Sequence, residues 1–128
     1  MTKEERAAYD RAYVSTTSGR ATKLLKDARA RAKRLGLPCT ISKQWVEHHL
    51  IKGVCTRTGH KFYLGPPRVA GYKEPRAPSI DRINGSYGYE TWNTQVVTWH
   101  YNMAKGTGTD ADLVTLSKAI LGERRLFT

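Results

Sequence analysis

The sequence is short of acidic residues, of cysteine and of long apolar runs, and each shortage narrows what the chain can be. Eleven Asp and Glu stand against 22 Lys and Arg, leaving a formal charge of +11. An excess of that size calls for an anionic partner, either nucleic acid or a membrane surface. No apolar run approaches the roughly 20 residues needed to cross a bilayer. The opening stretch MTKEERAAYDRAY has no apolar signal core. Nucleic acid is therefore the better match, no membrane association is expected, and the expected location is the cytoplasm. The two cysteines, Cys39 and Cys55, are too few for a disulfide framework and lack the Cys-x-x-Cys spacing of a structural zinc site. They read as small buried residues.

What is present suits one modest core. With 128 residues, 39% hydrophobic and 26% charged, residues 1–128 are expected to form a single domain. Within it, 1–19 read as an N-terminal helix and linker, 20–53 as a basic helical part, 54–106 as a core with a long loop, and 107–128 as a C-terminal helix and tail. Thr2 and Glu5 fit a capping box for a short helix to about residue 13, followed by a linker over 15–19. Residues 20–35 carry Ala21, Leu24, Leu25, Ala28, Ala32 and Leu35 at helical spacing. The other face holds Arg20, Lys23, Lys26, Arg29, Arg31, Lys33 and Arg34 against a lone Asp27, a formal +6 on one element. A solvated face is the bland explanation; charge so little compensated favours contact with phosphates. Gly36 and Pro38 end this helix.

A second helix is expected over 40–52, capped by Thr40 or Ser42, with Ile41, Trp45, Val46, His49 and Leu50 facing the core. Adjacent His48 and His49 point about 100° apart on a helix and do not converge on a metal. Residues 61–64 (KFYL) are a candidate strand. Glycines and prolines from Gly65 to Pro78 then exclude regular structure. That loop carries Arg68, Tyr72, Lys73 and Arg76, a mixture that suits a plain spacer or a backbone-tracking surface. Near the end, Asp110 is the expected cap of a helix over 111–121, with Leu113, Leu116, Ala119 and Ile120 as its apolar positions. The tail 123–128 is expected to be loosely held.

Residues 78–105, PSIDRINGSYGYETWNTQVVTWHYNMAK, carry the chemistry. Ile80 and Ile83 mark a short strand, Asn84-Gly85 and Gly88 mark a loop, and the apolar run 95–99 passes into a helical segment ending at Lys105-Gly106. A carboxylate, Asp81, lies on the first strand and an amide, Asn102, on the helix. Strand, loop, strand and helix arranged in this way can hold one divalent metal through oxygen ligands. The stretch resembles the ββα-metal core of HNH (His-Me finger) endonucleases, above all a compact form common among phage-encoded proteins. With residues 20–35, 37–53 and 53–59 (GVCTRTG), the resemblance covers about three quarters of the chain. It departs at one place: such cores usually read Asp-His, and this chain reads Asp81-Arg82.

The resemblance implies an α+β fold, with a two-stranded hairpin and helix at the centre and α-helices packed around them. It implies a metal-dependent endonuclease acting on double-stranded DNA, with Mg²⁺ or Mn²⁺ held by Asp81 and Asn102, inside a bacterial host's cytoplasm. Asn93 matches the central Asn that ties the loop to the strand. Trp92, Val97 and Trp99 read as core. Arg82 stands where a general base is usual; a guanidinium does not give up its proton and suits clamping of the scissile phosphate. Water activation then falls to His60 or to the metal, since His100 points away from Asn102 on a helix; Tyr87 and Tyr89 are further candidates that need a lowered pKa. Arg76 and the 20–35 face are the expected DNA contacts. One core per chain implies a homodimer or two successive events for cutting both strands. The alternatives are a catalytically inactive HNH fold that binds DNA or protein, favoured by Arg82, and a basic RNA-binding protein, disfavoured because the aromatic-strand signature of common RNA modules is missing. Homing, packaging and host DNA degradation all remain open as roles.

Overall fold

The computed structural model describes residues 1–14 and 16–122. The tail over 123–128 and Ser15 of the expected linker lie outside the described residues. In chain order come α1 (Lys3–Val14), α2 (Thr17–Leu35), α3 (Lys43–Lys52), β1 (Pro78–Arg82), β2 (Thr94–Thr98), α4 (Trp99–Lys105) and α5 (Asp110–Ile120), with a 3-10 turn at Thr91–Asn93. The class is α+β, as expected.

Local chemistry sets the helix ends. The Thr2 hydroxyl accepts from Glu5 N, and Glu5 reaches back to Thr2 N, the reciprocal pair of a capping box. The linker expected over 15–19 is much shorter. Thr16 caps α2, its hydroxyl accepting from Gly19 N, so the helix begins at Thr17. Gly19 is needed because a Cβ there would meet Tyr13 O at 1.9 Å, which lets α1 cross close to α2. Gly36, at φ 67, ends α2 with its N–H on Ala32 O and Lys33 O. Ser42, rather than Thr40, caps α3.

The core forms where α2 and α3 close over the hairpin. Ala21, Leu25, Ala28 and Ala32 pack with Ile41, Val46, Leu50, Ile80, Tyr89 and Val96; the alanines let backbones approach closely. Leu35, expected in the same stripe, lies exposed beyond the contact. In the hairpin, β1 and β2 pair antiparallel with Ile80 opposite Val96 and Asp81 opposite Gln95. Strand β2 is buried on both faces. Val96 joins the α2–α3 core, while Val97 faces a second cluster with Cys55 and Tyr101. The hairpin is thus a wedge between two apolar layers.

Four further expectations are corrected. Residues 61–64 form no strand, because only Lys61 has a ladder partner, an isolated bridge to Val54. Phe62 N and Tyr63 N donate instead to Gly53 O and Arg76 O. Trp92 is not core: it is 60% exposed and stands edge-on against exposed Tyr87. The cap of α5 is Thr109, in a capping box with Asp112, which frees Asp110 to bond Arg57 and Tyr101. Finally, α5 buries none of its residues, and Leu116 and Ile120 are exposed.

Candidate active site

The end of β1, the loop after it and the C-terminal half of α4 enclose a cleft of about 750 Å³. Each wall is held in place by identifiable bonds. Asn93, 1% exposed, ties the β1–β2 loop from inside: its Oδ1 accepts from Asn84 N at 2.9 Å, and its Nδ2 donates to Asn84 O at 3.0 Å and Gly88 O at 2.9 Å. All three of these bonds go to loop backbone, so the loop cannot relax without leaving polar groups unpaired. Gly88 presses on the chain before α3, where a Cβ would lie 2.2 Å from Pro38 O.

Asp81, Arg82 and Asn102, singled out from the sequence, all line this cleft, and so does Arg31 of α2. Asp81 is buried, and its Oδ2 accepts from Gln95 Nε2 at 2.9 Å and from Lys105 Nζ at 2.7 Å. Lys105 is equally buried and also donates to Arg82 O at 2.8 Å and Ile83 O at 3.4 Å. Three N–H groups thus meet three acceptors, the full capacity of an ammonium. Asp81 Oδ1 accepts nothing from the described residues. Since none of their buried side-chain oxygens or nitrogens lacks a partner, this oxygen opens to the cleft. On α4, Asn102 Nδ2 donates to Ser79 Oγ at 2.8 Å and Ile80 O at 3.4 Å. This leaves its Oδ1 free of bonds to the described residues.

The cations are positioned as carefully as the acid. Arg82 Nη1 donates to Gly85 O at 2.6 Å and Tyr87 O at 3.3 Å, and its guanidinium lies 5.5 Å from the centre of the Tyr89 ring. Arg31 donates to the Tyr89 hydroxyl at 2.7 Å. Buried Tyr89 therefore holds both arginines at the cleft. Arg31, Arg82 and Lys105 against Asp81 leave a formal +2 among the lining side chains. Asp110, the residue after Thr109 of the lining, is committed to Arg57 at 2.6 Å and to the Tyr101 hydroxyl; those hydrogen bonds, Tyr101's first, hold its carboxyl below the usual range.

Other residues picked out from the sequence lie elsewhere. His60 is exposed on the turn beside Cys55, its carbonyl accepting from Cys55 N, and no histidine lines the cleft. Exposed His100 is likewise outside it, and His49 packs at a tilt against Trp45, with burial lowering its pKa. The basic face of α2 divides. Arg31 turns into the cleft, Arg20 is half-buried and donates to Leu64 O, and Lys23 pairs with Asp27, while Lys26, Arg29, Lys33 and Arg34 are exposed. A groove that shares lining residues with the cleft runs along α2 past Lys73, and a second continues it to Arg20 and Lys23, with Asp27 and Glu74 among their walls. Arg76 is exposed and lies outside these grooves.

Sequence reasoning missed Lys105, Gln95 and the role of Tyr89. Lys105 was legible in part: three residues after Asn102 on a helix, it shares that residue's face.

No family model and no curated protein sequence matches the chain. Its structure is similar to that of the rare-cutting HNH restriction endonuclease PacI, with a TM-score of 0.57 and 18% sequence identity over 78% of this chain and 75% of that one. The fold is HNH-type. The hairpin β1–β2 with α4 is its ββα core, and the cleft described above opens beside that core.

Asp81 Oδ1 and Asn102 Oδ1 are hard oxygen donors, and no thiolate or imidazole lines the cleft. Two protein oxygens, with water and phosphate filling the other positions, suit Mg²⁺ or Mn²⁺. The donors fit such an ion in kind, although the surrounding charge is positive.

Proposed function

We propose that the protein is a metal-dependent DNA endonuclease of the HNH type. The observation that carries this reading is the convergence of Asp81, Asn102, Arg82 and Arg31 on one cleft beside the ββα core. A phosphodiester is drawn to the +2 lining, and the basic grooves along α2 give the flanking backbone a track. Arg82 and Arg31 grip the scissile phosphate and stabilise the charge that develops on it. Asp81 Oδ1 and Asn102 Oδ1 would hold the divalent ion, which when bound supplies charge neutralisation and polarises water. Lys105 and Gln95 fix the Asp81 rotamer by occupying its other oxygen. Arg82 takes no proton, and His60 stands outside the cleft. The chain therefore depends on electrostatic stabilisation and not on an imidazole base.

A second reading, a DNA-binding protein on an HNH scaffold that does not cut, is favoured by one specific feature: the Lys105 ammonium already sits on the carboxylate. Conversion of supercoiled plasmid to nicked or linear DNA separates the two. Nicking that requires Mg²⁺ or Mn²⁺, is abolished in a folded Asp81→Asn variant and survives in His60→Ala supports the nuclease. Binding without cleavage in either metal refutes it in favour of the second reading. Loss of activity in His60→Ala would return the base to His60.

A further inference from the structure

The cleft presents a contradiction of charge. The carboxylate best placed to hold a dication is neutralised by a buried lysine that cannot move away without abandoning three hydrogen bonds. Two arginines on the same wall add further positive charge, each fixed through Tyr89 or the loop backbone. An isolated divalent ion entering here meets net repulsion. A phosphate meets attraction, and once seated it brings oxygen ligands and at least one negative charge. Resting on the nuclease reading, we infer that metal and DNA phosphate enter this site together. Lys105 is the positioning residue that sets the order: it orients Asp81 while suppressing metal capture in the absence of DNA.

The arrangement has a functional logic. A carboxylate left unpaired in the cleft would attract Mg²⁺ whether or not DNA was present. With Lys105 in contact, the free site stays electrostatically complete, and the substrate's own charge completes the metal's coordination. Asp81 Oδ1 and Asn102 Oδ1 remain open for that moment because Lys105, Gln95 and Ser79 occupy only the other atoms of the two side chains.

The test is Mn²⁺ binding to the full chain, read by electron paramagnetic resonance as loss of the free-ion signal. It is run with and without a short DNA duplex, and the duplex alone is measured as a blank. For the wild-type chain, the duplex is expected to tighten Mn²⁺ binding by roughly tenfold or more, the scale of removing one close charge repulsion in a partly screened site. For Lys105→Gln, which keeps an N–H donor for Asp81, binding without DNA is expected to strengthen by a similar factor. A lysine that merely supported the fold would, on removal, weaken metal binding. Equal Mn²⁺ affinity of the wild type with and without duplex overturns the inference, and this comparison decides the matter even if Lys105→Gln fails to fold. Unchanged or weaker binding in a folded Lys105→Gln also overturns it. Absence of Mn²⁺ binding with duplex, indifferent to Asp81→Asn, instead removes the metal-dependent reading itself.

Discussion

Replacing Asp81 by Ala should damage the fold before it informs on the chemistry. The side chains of Asp81 and Lys105 are only 7% and 3% exposed, with 2.7 Å between Oδ2 and Nζ. Removing the carboxylate leaves a buried ammonium with two carbonyls and no counter-charge. Breaking a buried pair from one side costs about 3 to 5 kcal/mol. A domain of this size holds about 5 to 15 kcal/mol in total, so the loss is a large share of it. Lys105→Ala should cost less, because Asp81 keeps the Gln95 bond and an oxygen open to the cleft. The double variant should cost clearly less than the sum of the two, since the second substitution removes the charge that the first left unpaired. Urea titrations of the four proteins measure each term. Single-variant costs below about 1 kcal/mol that add without coupling would refute the reasoning, because the pair would then not be desolvated as its burial requires. The practical consequence is that Asp81→Asn, which keeps the shape and an acceptor for Lys105 though not the counter-charge, is the milder probe, read for activity only once its fold is verified.

Gly88→Ala should destabilise by about 1 to 3 kcal/mol, seen as a lower urea midpoint, because the new Cβ would lie 2.2 Å from Pro38 O. Asn93→Ala gives up three hydrogen bonds to the loop and should cost about 2 to 4 kcal/mol at roughly 1 kcal/mol per bond, again by urea midpoint. Trp92→Ala, at a side chain 60% exposed, should shift stability by less than about 1 kcal/mol; a loss typical of a core tryptophan would restore the buried placement. Burial and the hydrogen bond to Asp110 push the Tyr101 pKa from 10.0 to about 12. The folded state therefore keeps a proton that the unfolded chain has lost, and the associated stability is present below pH 10 and lost as pH rises from 10 to about 12. Wild type should lose stability relative to Tyr101→Phe across that window, and parallel curves would count against the shift.

The features legible in the sequence were those governed by neighbours a few residues apart. The Thr2–Glu5 box, the Gly36 stop, the alanine stripe of α2 and the strand–loop–strand–helix order of residues 78–105 all depend on contacts within about one helical turn or on strand alternation. Even the gathering of Asp81, Arg82 and Asn102 follows, because one hairpin and one short helix join them. Where a residue's state depends on a distant partner, local pattern was not enough. KFYL had the composition of a strand but no neighbouring strand to pair with. Trp92 had the composition of core, yet the 3-10 turn before β2 points it outward. Asp110 looked like a cap until Thr109 took that role and Arg57, 53 residues away in sequence, claimed its carboxylate.

The same distinction governs the cleft. The sequence by itself determined that a carboxylate, an arginine and an amide would sit together on a basic chain, since these positions are fixed by hairpin register and helical spacing. Only the tertiary structure decided their electrostatic state: Lys105, 24 positions from Asp81, closes on its carboxylate, and Arg31 reaches the same cleft from α2 through Tyr89, 58 positions away. Charge pairing depends on distance in space and on exclusion of water, and neither is set until α2, the hairpin and α4 have packed.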